Sequence, residues 1–107
     1  MKIQHHPFET LNWHSIEKIK HEGENSFALW QTIMMGEIKI RMVEYSAGYI
    51  ADHWCNKGHI IYCIKGKMKT ELIDGRIMKM TKGMTYHVGD DSMAHRSSSK
   101  KLYAFYC

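Results

Sequence analysis

His53, Cys55 and His59 lie within seven residues of one another in the stretch GYIADHWCNKGH, which spans 48–59, and His95 stands in reserve far downstream. Neutral imidazoles and a thiolate are the donors that a borderline-soft transition metal prefers. If this stretch is a strand, residues i and i+2 point to the same face, so His53 and Cys55 can share one ion. His59 would lie about 13 Å beyond Cys55 on a straight strand and cannot reach the same ion unless the chain turns back. Asn56, Lys57 and Gly58 make a suitable three-residue turn, with Gly58 expected at positive φ. The expected arrangement is a hairpin with His53 and Cys55 on one arm and His59 on the other. His5, His6, His14 and His21 sit in a polar N-terminal stretch without a partner cysteine and are read as surface or structural residues.

The elements that must position these donors are strands. From Phe27 onward apolar and branched residues recur at strand spacing: 27–34, then 37–45, where Ile38, Ile40 and Met42 share one face and Lys39, Arg41 and Val43 the other. Over 59–65 both faces are largely apolar, as in a strand covered on two sides. Segments 67–73 and 76–81 flank Asp74-Gly75, a hairpin signal, and further strands are expected over 84–88, 94–97 and 101–105. Residues 1–26 read as an N-terminal arm with a short helical turn near 15–20, and 27–107 as a single all-β domain. Many short strands with spaced turns indicate an antiparallel sandwich or barrel.

The composition narrows the function classes. The chain has 107 residues, 44% of them hydrophobic, which is one domain with a core. The net charge is +4, from 15 Lys and Arg against 11 Asp and Glu, but the basic residues are scattered and the longest basic run is Lys100-Lys101. This is a solvated surface rather than a nucleic-acid interface. No apolar run suits a membrane span, and the N-terminal residues lack the apolar core of a secretory signal. Three cysteines with no CxxC pair do not form a disulfide framework, so a reducing cytoplasm is expected. The nine methionines are expected to fill the core.

The spacing Gly48, His53-x-Cys55, His59, Gly66, followed by Gly83, Gly89 and His95, resembles the two motifs of the cupin superfamily. A cysteine stands where the second histidine of the broad pattern falls, a histidine where its glutamate falls, and the proline of the second motif is absent. Asp52-His53-Trp54-Cys55 followed by Lys57-Gly58-His59-Ile60 is similar to the small group of DHCW-motif cupins. So are 41–46, His95-Arg96-Ser97-Ser98 and the N-terminal Pro7-Phe8-x-Thr10-x-Asn12-Trp13. The resemblance implies a double-stranded β-helix, a cupin-type jelly-roll barrel, with His53, Cys55, His59 and His95 as metal ligands. Zn²⁺ suits three nitrogens and one sulfur best, with iron, nickel and copper also accepted. A homodimer through the outer sheets is implied by the same analogy. Two functions follow: a metal that organises a small-molecule pocket without turnover, or an open-site metalloenzyme such as an iron dioxygenase or a zinc-dependent isomerase or lyase. Asp52 and Trp54 point away from the donor face, Cys63 belongs to the core, and Lys57 is solvated. A single register step decides whether Arg41 faces the pocket or solvent.

Overall fold

A computed structural model describes residues 2–22, 26–51 and 53–106, and for 99–106 the backbone alone. A 3-10 turn, Trp13–Ser15, is followed by eight strands: β1 Ile19–Glu22, β2 Phe27–Met35, β3 Ile38–Tyr45, β4 Tyr49–Ile50, β5 His59–Leu72, β6 Ile77–Thr81, β7 Thr85–Val88 and β8 His95–Tyr106. All pair antiparallel in the order β1-β2-β3-β8-β5-β6, with β4 added to β8 and β7 to β5. Among the described residues no helix is long and apolar enough to cross a membrane.

The strands expected from Phe27 onward are present with two mergers, except for the arm expected to carry His53 and Cys55, which is not a strand. The segments expected over 59–65 and 67–73 form one strand, β5, and those over 94–97 and 101–105 form one strand, β8. The break expected near Gly66 is a bend within a strand. Gly66 has φ +89°, and the β5–β8 register slips between Cys63 and Lys65 and again between Lys67 and Met68. Such irregularities bend a strand and tighten its twist. The helical turn comes earlier than expected, and the chain after it contributes β1, which pairs with β2. Gln31 secures the turn by donating from Nε2 to the carbonyls of Trp13 (2.6 Å) and Ile16 (2.9 Å).

The bend in β5 brings distant positions of the sheet together. Leu72 pairs with His95, and His59 lies 13 residues before Leu72 on the same strand. On a straight ladder those two positions would be about 43 Å apart, yet the Nε2 atoms of His59 and His95 are 2.9 Å apart. The β5–β8 ladder therefore winds back on itself. The inner faces enclose Ala28, Val43, Tyr45, Tyr49, Ile61, Cys63, Met68 and Met80, all buried. Burying side chains of the larger kinds contributes about 1.5–3 kcal/mol apiece. On β3 the inner face is that of Arg41, Val43 and Tyr45; Val43 and Tyr45 are 4% and 6% exposed.

Candidate metal centre

The segment before β5 is shaped by its neighbours in space rather than by a hairpin of its own. No strand runs through His53; the chain bends there, so strand alternation does not set its direction. Cys55 pairs instead with the first residue of β8: its N–H donates to the His95 carbonyl at 2.8 Å and its carbonyl accepts from the His95 N–H at 3.0 Å. Directly opposed residues of an antiparallel pair present their side chains to one face. The loop from 55 to 59 is then tied to the turn between β7 and β8. The Asp91 N–H donates to the Asn56 carbonyl (2.9 Å), and the Gly58 N–H to Asp90 Oδ1 (2.6 Å). Gly58 does not take the positive φ expected of it. Its need for glycine is one of space, since a Cβ there would stand 2.8 Å from the Asp90 nitrogen, 2.9 Å from the Gly89 carbonyl carbon and 2.9 Å from the Val88 oxygen. His59, opening β5, pairs with Val88.

These contacts bring Cys55, His59 and His95 together, with one donor atom from each lying within 4.8 Å of the others. His95 is 3% exposed, and its Nδ1 lies 2.8 Å from the Met93 carbonyl oxygen. A carbonyl can only accept, so Nδ1 carries the proton and Nε2 offers its lone pair to the cavity, as a metal-binding imidazole must. His59 Nε2 is 2.9 Å from His95 Nε2 and 3.0 Å from the Tyr86 hydroxyl. With metal bonds of about 2.0–2.1 Å to nitrogen and 2.3 Å to sulfur, tetrahedral donors would stand roughly 3.3–3.7 Å apart. The three donors fit an ion with small adjustments. Burial first, and then the adjacent His95 and Arg41, lower the pKa of His59 to about 4, so it is neutral at pH 7. Burial pushes Tyr86 up to about 12, so it stays a phenol.

His53 lines the same cavity, of about 830 Å³, but stands exposed, and its donors fall outside the close group of three. Arg41 faces this cavity, where sequence alone left its side open. Its Nε donates to Thr32 Oγ1 at 3.1 Å, and its guanidinium lies 3.8 Å from the centre of the Trp30 ring. Trp54 packs under Arg96, Lys57 is exposed, and Asp52 lies outside the described residues. Cys63 is fully buried, and desolvation raises its thiol pKa, as suits an inert core residue. Cys55 and Cys63 are free thiols, and Cys107 lies outside the described residues. His21 stacks on Trp30, and His6 pairs with Glu9. Sequence reasoning missed Tyr86, Trp30, Tyr45 and Tyr49 as cavity residues. Alternation within 85–88 does separate Tyr86 from Thr85 and His87, but which face is inward depends on the pairing of Tyr86 with Ile61, a nonlocal fact.

The fold is that of the cupins. The chain is similar to an RmlC-like cupin from Shewanella frigidimarina, with a TM-score of 0.76 and 14% identity over 94% of this chain and 89% of that one. It is also similar to a predicted oxalate decarboxylase from Thermotoga maritima (TM-score 0.74, 10% identity, 92% and 96% covered). A third likeness is to KdgF from a Halomonas species (0.71, 13% identity, 94% and 92%). No protein-family model and no curated protein matches the chain.

Proposed function

We infer that this protein is a small metal-binding cupin of the DHCW-motif kind, whose ion organises a pocket for a small molecule. The convergence of Cys55, His59 and His95 carries this reading. Two imidazoles and a thiolate favour Zn²⁺, with iron and nickel as competitors. His53 lines the same pocket and is assigned as the fourth donor, brought in by adjustment of its exposed bend. A cytoplasmic setting would keep Cys55 reduced. Ile60, Tyr62 and Ile64, exposed along the outer face of β5, support a homodimer through that sheet. The stretch 1–26 is taken as an arm on the barrel of 27–107, joined to it where β1 extends the sheet beside β2.

The close group holds three donors rather than four, and this favours a second reading, an open-site metalloenzyme. Structural zinc sites are closed by four protein ligands, whereas catalytic ones keep a position open. An ion bound there would supply Lewis-acid polarisation, or oxygen activation in the case of iron. Metal content per chain tests both readings. One ion per native chain is expected, lost in His59→Ala and His95→Ala and retained in His5→Ala and His6→Ala. Equal retention in all four variants contradicts the site. Loss in His53→Ala favours the closed site, and retention favours the open one.

A further inference from the structure

Thr70, on β5, is 2% exposed, and its Oγ1 is buried with no hydrogen-bond partner. A buried hydroxyl left alone is rare and unfavourable to folding, so one that persists calls for an explanation. Thr70 stands directly opposite Ser97 on β8, which is 8% exposed. In the same ladder Leu72 stands opposite His95, two residues along. The Thr70–Ser97 pair is therefore the inward rung next to His95, about 7 Å away along the strands.

Tyr86 joins this rung to the metal centre. Its hydroxyl lies 3.0 Å from His59 Nε2, and its ring lies 6.1 Å from that of His95 at an interplanar angle of 71°. Burial raises the Tyr86 pKa, and the hydroxyls of Ser97 and Thr70 act against that rise, so both stand beside the phenol. Thr70 Oγ1 is near it but outside bonding geometry. The His59 nitrogen has two claims on it. Nε2 faces His95 Nε2 at 2.9 Å and is the atom that an ion between the two imidazoles would use. A ring nitrogen carries one lone pair or one proton, so His59 cannot hold an ion and the Tyr86 hydroxyl through the same atom. An ion at the centre releases the phenol, which then needs another acceptor or stays unsatisfied in a buried place. Thr70 Oγ1 is unengaged, and Ser97 stands across from it.

We propose that Thr70 and Ser97 are positioning residues of the metal centre: they receive the Tyr86 hydroxyl when His59 gives its nitrogen to the ion, and so raise the affinity of the chain for metal. The proposal rests on the metal-binding reading and adds to it residues that touch no ion. The test is a double-mutant cycle read by competition for zinc with a chromophoric chelator. Thr70→Val combined with Ser97→Ala removes both hydroxyls, alters no ligand, and is expected to lower zinc affinity about tenfold. In Tyr86→Phe, where there is no phenol hydroxyl to receive, the same pair of changes is expected to alter affinity by less than about twofold. Thr70→Ser keeps the hydroxyl and should stay near native. If the combined variant does not fold, Thr70→Val alone is compared with and without Tyr86→Phe in the same way. The urea midpoint of the metal-free protein should not fall in Thr70→Val, because Thr70 Oγ1 makes no hydrogen bond to lose; a fall would show the hydroxyl already partnered and overturns the proposal. A loss of zinc affinity of the same size with and without the Tyr86 hydroxyl overturns it and leaves the metal reading intact. So does no loss in either background, the result expected if the phenol turns to the Cys55 sulfur instead. A native chain that takes no zinc, or that takes it equally in His59→Ala, overturns the metal reading and this proposal together.

Discussion

The two halves of β5 alternate in opposite phase, shifted by one residue across the irregularities around Gly66, and do different work. In the first half the inward residues are His59, Ile61 and Cys63; in the second they include Met68 and Thr70. Met68 and Thr70 are each 2% exposed and lie on the stretch that pairs with β6, Met68 beside Met80 and Thr70 beside Met78. His59 is only half-buried and faces a cavity of about 830 Å³. One strand is thus core at one end and site at the other, and the bend at Gly66 divides them. The difference teaches that an inward position becomes chemical only where the neighbouring side chains leave the interior unfilled.

Exchanging the loss between the halves should give opposite phenotypes. Met68→Ala is expected to lower unfolding stability by about 2–5 kcal/mol, the range for a large buried apolar side chain cut to alanine. Metal content per folded chain should stay native. His59→Ala should abolish metal binding and leave the metal-free stability within about 1 kcal/mol, since a half-buried imidazole leaves little cavity. Denaturant titrations and metal analysis on both variants check this, and metal loss in Met68→Ala would erase the distinction.

A smaller effect is expected at Gly58, which joins the loop of Cys55 to the turn at 88–90. Gly58→Ala puts a Cβ against three backbone atoms, and overpacking of this kind costs about 1–3 kcal/mol. The loop must shift, carrying Cys55 and His59 apart, so metal affinity should fall although no ligand is altered. Native affinity in the variant would show that the loop is not what positions the donors.

The smallest effect is the pH dependence of metal-free stability. His59 has its pKa lowered from 6.5 to about 4 in the folded chain. Between those values the unfolded state binds the proton more readily, so stability falls as pH drops from 6.5 to about 4. Below pH 4 both states are protonated at this residue and its contribution levels off. Urea midpoints of the metal-free protein at pH 7 and pH 5 should differ more in the native chain than in His59→Gln. An identical pH dependence in the two would remove His59 from the account.

Much of the fold is legible in the chain because alternation is local. The strand of Arg41 and that of Tyr86 can both be read from their residues. What cannot be read is the side on which Arg41 or Tyr86 falls, because one step of register reverses it. The mergers are hidden for a related reason. Gly66 looks like a terminator, but β8 pairs with β5 on both sides of it and carries the strand across. At the site the residue types of Cys55, His59 and His95 are informative, while their geometry is not. Cys55 meets His95 through a bridge forty residues away in the chain, and no local turn rule predicts it. Gly58 reads as necessary for a reason of dihedral angle, whereas the actual reason is crowding by 88–90.

The central claim is that the Cys55 thiolate and the His59 and His95 imidazoles hold one ion. Cobalt(II) substitution tests it most directly, because a thiolate bound to cobalt gives a charge-transfer absorption that an imidazole does not. The native protein is expected to show this band at one cobalt per chain, and Cys55→Ser to lose it while remaining folded. A band that survives unchanged in Cys55→Ser, or cobalt that binds without any such band in the native protein, would contradict the claim.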